Sequence, residues 1–285
     1  VNKRKKDSQW WDDSWNPVTG CTAVSEGCAH CYAKAIHNRF YQSGKFEKIV
    51  LHPERISKID NTKPKVIFVN SMSDLFHEKV PFEFITEVFS VMQRNPLHVF
   101  VLLTKRAKRM EEYFTWVKET YSEWRLFYPL ENVWLGVTVE NNDHRNRLNA
   151  LMNTPAKHRF VSVEPMLEAV DLGDYLCRDW INKKLTLGVY LDLVICGGES
   201  GPGARLMRPE WARVLRDQCV ESNTPFFFKQ WGEWVPDMID ESVMVRSRST
   251  GIGRKLDGVE WNELPWIKNE ESMAPTEVQL PLEVK

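Results

Sequence analysis

The sequence predicts a parallel α/β fold, a complete or partial (β/α) barrel with a small C-terminal extension. Three observations carry that expectation. Seven short apolar runs alternate with about six segments of helical spacing. Several of the runs are continuously apolar, as strands buried on both faces of a parallel sheet must be. From the second run onward, each ends in charged or hydrogen-bonding residues. In a barrel of this kind the active face lies at the carboxyl ends of the strands, so these endings would meet on one side of the molecule.

Residues 1–7 are strongly basic and read as a disordered start. Ser8 to Trp15 is expected to be a short aromatic strand that delivers a cysteine loop, followed by a helix from Ala33 to Tyr41 and a connection from Gly44 to Pro53. Lys65 to Asn70 is the second strand and stops at Ser71, Ser73 and Asp74. Phe84, Ile85, Val88 and Phe89 set a helical period over Pro81 to Arg94. The third strand, His98 to Leu103, ends in Thr104, Lys105 and Arg106, and Ala107 to Thr120 is helical. Asn132 to Val137 is the fourth strand, ending in Thr138, Glu140 and Asn141, and the helix from Asp143 to Met152 is closed by Pro155.

Arg159 to Val161 is the fifth strand, giving way to Ser162, Glu164 and Pro165, with a helix expected around Ala169 to Ile181. Tyr190 to Ile195 is the sixth, ending in Cys196, Gly197, Gly198 and Glu199. Pro209 suits the first turn of a helix running to Cys219. The seventh strand, Pro225 to Phe228, ends in Lys229, Gln230, Trp231 and Gly232. The barrel with its cysteine loop therefore covers 8–232. Over 233–285, turn signals at Gly251, Gly253 and Asp257-Gly258, with Trp261 and Trp266, point to a small packed hairpin and a loosely held tail beyond Lys268.

With 285 residues, 42% of them apolar, the chain can fill one large barrel core. A net charge of -1 argues against wholesale wrapping of nucleic acid and leaves a local basic groove open. No run reaches the roughly 18 apolar residues of a membrane span, and the first residues lack the apolar core of a secretory signal. A cytoplasmic protein with no membrane partner is expected.

Of the six cysteines, Cys177, Cys196 and Cys219 are scattered in apolar or helical surroundings, where buried reduced thiols are expected. Cys21, Cys28 and Cys31 instead cluster as C-x6-C-x2-C, with Gly20 and Gly27 relaxing the backbone between them. Three thiolates are one short of the four that close a zinc or iron-sulfur site. Three chemistries compete: a structural zinc site with His30 or His37 as fourth ligand, a redox dithiol of Cys28 and Cys31, and a [4Fe-4S] cluster on all three. The last keeps one iron open to a non-protein ligand.

The phrases Trp15 to Cys21, Gly27-Cys28, Cys31 to Ala33, Asn70 to Phe76, Leu103 to Arg106, Ser162 to Pro165, Gly197 to Gly201 and Phe228 to Gly232 form a specific set. With this set the chain resembles the radical S-adenosylmethionine (SAM) superfamily, and more closely a phage-borne family of three-cysteine proteins of unassigned function. The resemblance implies a barrel of the radical SAM type and a [4Fe-4S] cluster on Cys21, Cys28 and Cys31, with SAM on the fourth iron. Reductive cleavage of SAM to a 5′-deoxyadenosyl radical would abstract a substrate hydrogen. It also implies an external one-electron reductant of the flavodoxin or ferredoxin type. The phage likeness points to a nucleobase, in a nucleotide or nucleic acid, as the substrate class.

Two features depart from the superfamily pattern. Its common spacing is C-x3-C-x2-C, so the longer loop here must bulge or fold differently. Its Gly-Gly-Glu phrase follows the second strand, whereas Gly197-Gly198-Glu199 follows the sixth, and Ser71, Ser73 and Asp74 stand at the second. Both sets are expected on the cofactor, together with Thr138, Glu140, Asn141 and Glu164. Lys105, Arg106 and Lys229 would take a phosphate or carboxylate of the substrate, and Trp231 would stack on a base. The same side chains also admit a structural role. Glu199 would then pair with Arg205 or Arg208, and the three cations with Asp74, Glu140 and Glu164, filling the barrel mouth. Trp10, Trp11 and Trp15 would be core or cluster shielding, and His30 a cover for the cluster. A non-catalytic zinc-binding scaffold is the competing function.

Overall fold

A computed structural model describes residues 9–40, 44–57, 59, 63–124, 128–176, 188–237, 243–247 and 254–266. The basic start, Cys177, the turn glycines Gly251 and Gly253, and the tail beyond Lys268 lie outside the described residues.

One seven-stranded sheet organises the chain: β1 (Asp13–Trp15), β2 (Val66–Val69), β3 (Val99–Thr104), β4 (Val133–Thr138), β5 (His158–Val163), β6 (Leu193–Gly197) and β7 (Phe226–Gln230). The strands lie side by side in chain order, and every neighbouring pair is parallel. β1 and β7 are the edges, so the fold is a partial (β/α) barrel, a curled half-barrel. β2, β4 and β6 are buried at every position, which is why their sequences are apolar runs rather than alternations.

Helices α1 (Tyr32–Phe40), α2 (Phe82–Arg94), α3 (Ala107–Thr120), α4 (Asn146–Asn153) and α5 (Pro209–Glu221) supply the crossovers. The outer face of the sheet, with Val69, Leu102, Leu135, Val161, Val194 and Phe228, joins the helix residues Ile85, Met92, Met110, Phe114, Leu148 and Leu215 in one core. Alternation along each strand sends the other side chains inward. There Phe68, Val101, Trp134, Phe160, Ile195 and Phe227 meet Trp10, Leu264 and Trp266 in a second core. Trp266 lies 4.8 Å from Trp134 between ring centroids and donates its Nε1–H to the Trp10 carbonyl at 3.3 Å. The two ends of the described chain thus plug the inner face beside the amino-terminal halves of the strands. The carboxyl-terminal halves are left to polar groups.

The helix expected around Ala169 to Ile181 is replaced, over its described part, by an extended strap with a single 3-10 turn, Gly173–Tyr175; residues 177–187 lie outside the described residues. Apart from the bond from Tyr175 N to the Leu172 carbonyl at 2.8 Å, the strap's backbone is tied down largely by side chains. Leu172 N donates to Gln218 Oε1 at 2.7 Å, Asp171 N to Asn142 Oδ1 at 3.3 Å, and Gln218 Nε2 to the Val170 carbonyl at 3.0 Å. Its apolar residues Met166, Val170, Leu172 and Leu176 are buried in the outer core. The first strand is also shorter than expected, because Trp10 leaves the sheet edge for the inner core.

Beyond β7, Lys255–Leu256 and Val259–Glu260 pair antiparallel around Asp257 and Gly258, both at positive φ (55° and 77°). The Asp257 carboxylate is held by Arg213 Nε at 2.8 Å and Arg216 Nη1 at 2.5 Å, docking this hairpin on α5. Trp261 packs against Phe226, 5.9 Å between centroids. Among the described residues no helix is long and apolar enough to cross a membrane.

Gly136 sits opposite Phe160 in the β4–β5 register, and the Phe160 ring occupies the space a side chain would need; a Cβ would fall 2.6 Å from Phe160 Cδ1. Gly136→Ala is expected to destabilise the fold by about 1–3 kcal/mol. Most of that loss should return in the double variant with Phe160→Leu, as read by equilibrium urea unfolding.

Candidate functional site at the carboxyl ends of the strands

The loop that carries the three clustered cysteines lies across the carboxyl ends of the sheet and is pinned at four of them. At β2, Ser73 Oγ donates to the Val18 carbonyl at 2.8 Å, Met72 N to Asn16 Oδ1 at 2.9 Å, and Tyr32 Oη to the Ser71 carbonyl at 2.5 Å. At β3, Arg106 Nη2 donates to the Thr22 carbonyl at 3.0 Å and to its Oγ1 at 2.9 Å. At β4, Ser25 Oγ donates to Glu140 Oε1 at 2.5 Å, and Asn141 Nδ2 bonds the Glu26 carboxylate, which also meets His144 Nε2 at 3.2 Å. Past β6, Arg205 Nη2 donates to the Glu26 carbonyl at 3.0 Å.

Two glycines let the loop run close to its neighbours, Gly20 against the connection after α1 and Gly27 against the ending of β4. Gly20 is at φ +86°, and a Cβ there would lie 2.8 Å from the Phe46 carbonyl oxygen. On Gly27 a Cβ would lie 2.6 Å from Glu140 Cγ. Neither position accepts a side chain without moving the loop.

All three thiols are half-buried, whereas Cys196 and Cys219 are buried in the outer core. Burial, and next the Asp74 carboxylate, push the Cys21 thiol up to about 11, against the opposing charge of Arg106, whose Nη1 donates to Cys21 Sγ at 3.4 Å. Ser25 Oγ lies 3.8 Å from Cys28 Sγ. Among the described residues, no three His, Cys, Asp or Glu side chains are gathered closely enough to hold one metal ion. His30 rests on the turn after β6, its Cε1 2.7 Å from where a Cβ of Gly203 would be. The His37 ring packs on Phe46 at 5.5 Å. The donor chemistry nevertheless suits an iron-sulfur cluster: three half-exposed thiols on one loop, with a guanidinium and a hydroxyl turned towards two of the sulfurs.

The charged strand endings are mated to one another. Arg106 pairs with Asp74 at 3.2 Å, and Asp74 also accepts from Thr104 Oγ1 at 2.7 Å and from the backbone N–H of Phe76 and Lys105. Glu140, fully buried, holds Arg147 at 2.6 Å and Lys105 at 3.5 Å. Lys229 Nζ donates to both oxygens of Glu164, at 2.6 and 2.8 Å. Glu199 takes Arg205 through Nε at 2.9 Å, Nη2 at 2.6 Å and the backbone N–H at 2.8 Å.

The expected site residues therefore divide. Ser71, Ser73 and Asp74 brace the loop and Arg106. Glu199 is occupied by Arg205, and Gly198 lies against the Trp231 carbonyl, where a Cβ would fall 2.7 Å from its carbon. Trp231 does not face the mouth; its ring is buried in the outer core against Phe228, and its Nε1–H donates to the Lys255 carbonyl at 3.0 Å. Lys105, Glu164 and Lys229 keep side chains about a fifth exposed (21%, 20% and 19%) at the mouth, above the buried Thr138 and Ser162. Gly197 leaves room for Glu164, since a Cβ there would lie 3.2 Å from Glu164 Cδ. Arg147, Ser25 and Thr22 belong to the site and were absent from the sequence reading. Arg147 carries no sequence signal beyond being a cation on the apolar side of a short helix.

Burial raises the Glu140 carboxyl, but Lys105, Arg147 and the Ser25 hydroxyl outweigh it and hold the group below its ordinary value of 4.5. A carboxyl lowered by folding stabilises the fold fully above its unfolded pKa, and the contribution is lost as pH falls through the folded value. Glu140→Gln should cost about 3–5 kcal/mol at pH 7, because Arg147 is left buried without its charge partner. Below pH ~4.5 the variant should lose less further stability than the parent, as read from urea midpoints against pH.

A family model described as "Protein of unknown function (DUF5131)" matches residues 5–265. No curated protein matches the chain. Among solved structures, a variant of spore photoproduct lyase is similar with a TM-score of 0.42 and 10% identity, over 81% of this chain and 80% of that chain. A second variant of that lyase, with bound AdoMet and dinucleoside spore photoproduct, is similar with a TM-score of 0.40 and 10% identity, over 76% of each chain.

Proposed function

The chain belongs to the DUF5131 family, and we propose that it is a radical SAM-type enzyme whose Cys21, Cys28 and Cys31 hold a [4Fe-4S] cluster at the mouth of the half-barrel. One observation carries this reading: the loop bearing the three thiols is fastened to the carboxyl ends of β2, β3 and β4 and to the turn after β6. That is the side of a parallel barrel on which reactive groups collect. Three thiolates, rather than four, leave a coordination position for a cofactor. When bound, the cluster with SAM supplies one-electron cleavage of SAM and hence a carbon radical able to take a hydrogen atom from the substrate. The electron comes from an external carrier of the flavodoxin or ferredoxin type.

The chain's own residues bind, orient and keep water out. The inner core of Phe68, Trp134, Phe160 and Trp266 closes the floor below the mouth, so the reacting centre stands over a dry apolar surface. Lys105 and Lys229 are partly exposed ammonium groups at the rim, beside the Arg205 guanidinium. Each is already paired with a carboxylate, so an anionic group of the substrate would exchange for that carboxylate rather than neutralise a free charge. Phosphate is such a group, and a nucleotide or nucleic acid bearing the target nucleobase is the substrate class we propose. Support comes from the two ammonium groups and from the phage-family resemblance of the sequence.

Anaerobic reconstitution followed by iron and sulfide analysis tests the reading, with dithionite and SAM then added while 5′-deoxyadenosine is assayed. About four irons per chain and release of 5′-deoxyadenosine are expected, and Cys21→Ala, Cys28→Ala and Cys31→Ala should each abolish both. Zinc without iron, with loss of folding on replacing His30 or His37, would overturn it in favour of a scaffold.

A further inference from the structure

Of the two roles the sequence admits for Arg106, substrate binding or pairing with a carboxylate, the structure has the pairing, and every face of its guanidinium is occupied. Nη1 donates to Cys21 Sγ at 3.4 Å and to Asp74 Oδ2 at 3.2 Å. Nη2 donates to Thr22 O and Thr22 Oγ1, and Nε to Glu78 Oε2 at 3.3 Å. The Arg106 and Asp74 side chains are only 8% and 7% exposed. A buried ion pair adds little stability over an apolar pair of the same shape, so stability alone does not account for a guanidinium aimed at a sulfur. Among the hydrogen bonds to the three clustered thiols, the one at Cys21 comes from an ionised donor, whereas Cys28 meets a neutral hydroxyl. Arginine stays charged at every working pH, and its planar fork lets it hold the sulfur, the loop carbonyl and Asp74 together.

Resting on the cluster reading above, we infer that Arg106 is a positioning residue for the cluster: its N–H···S bond and fixed positive charge at Cys21 set the reduction potential above the value the loop alone would give. The direction follows from electrostatics. Reduction adds negative charge to the cluster and its thiolates, and a cation with a hydrogen bond at one sulfur stabilises the more negative state. Asp74, which accepts from the same Nη1 that meets the sulfur, moderates the effect and keeps the cation in place.

The test is a reductive titration of the reconstituted full chain, monitored by electron paramagnetic resonance without SAM or substrate, so that turnover plays no part. Arg106→Gln should shift the midpoint to a more negative potential. Thr22→Val removes a loop contact without changing charge; it should lower cluster occupancy and leave the midpoint where it was. An unchanged midpoint in Arg106→Gln, or an equal shift in Thr22→Val, would overturn the inference while leaving the cluster itself established. If Arg106→Gln holds too little cluster to titrate, Arg106→Lys decides, because an ammonium keeps the charge without the fork. A midpoint below the parent's supports the N–H···S bond, and one equal to it overturns that bond's role. A parent chain that takes up no iron overturns both readings.

Discussion

The fully buried carboxylate of Glu140 is the interaction on which the site depends. A charge there is tolerated only when its lone pairs are filled, and it draws partners from three directions: Arg147 from α4, Lys105 from the end of β3 and Ser25 from the cysteine loop. Gly27 completes the contact by leaving no Cβ between loop and carboxylate. The loop with the thiols is therefore an integral part of the sheet's carboxyl end. Its position is fixed by the need to satisfy a charge that the fold has buried.

That constraint divides the inner face of the half-barrel in two. Beside the amino-terminal halves of the strands the residues are aromatic or aliphatic and are closed by Trp10 and Trp266; beside the carboxyl halves they are charged and paired. Side chains alternate between the two faces along each strand, and the changeover on the inner face falls in the row where Thr138 and Ser162 stand beside Ile195 and Phe227. The mouth therefore has an apolar floor and a rim of hydrogen-bonding groups.

The rim is close to electroneutral. Lys105, Arg106, Lys229 and Arg205 each have a carboxylate within 3.5 Å, in keeping with a chain whose net charge is only -1. Selectivity for an anion would then come from exchange of partners at short range, where geometry matters more than long-range attraction.

Much of this was legible in the sequence. Seven strands, their parallel sense and the gathering of polar endings followed from apolar runs such as Val66 to Val69 and from what ends them, because a strand buried on both faces has little freedom of composition. The cysteine cluster and the pairing of Lys105, Arg106 and Lys229 with Glu140, Asp74 and Glu164 could be named in advance, the latter as one of two roles. The choice between the roles could not be made there, since a lysine that binds a ligand and one that fills an ion pair have the same sequence. Only the tertiary structure brought Arg147 to Glu140 and Arg106 to Cys21, sent the Trp231 ring into the outer core, and made an extended strap of the described part of a segment expected to be helical. Arg147 and Glu140 are only 7 positions apart but lie on either side of the turn between β4 and α4, and the other outcomes depend on contacts between residues farther apart in the chain, 85 positions for Arg106 and Cys21. Local periodicity carries no information at that range. Composition and pattern alone specified the parallel sheet with its covering helices and the spacing of Cys21, Cys28 and Cys31 on one loop. Tertiary packing decided which charges are spent on one another and which remain at the mouth, because the cost of burying each charge is set by neighbours that only the folded chain assembles.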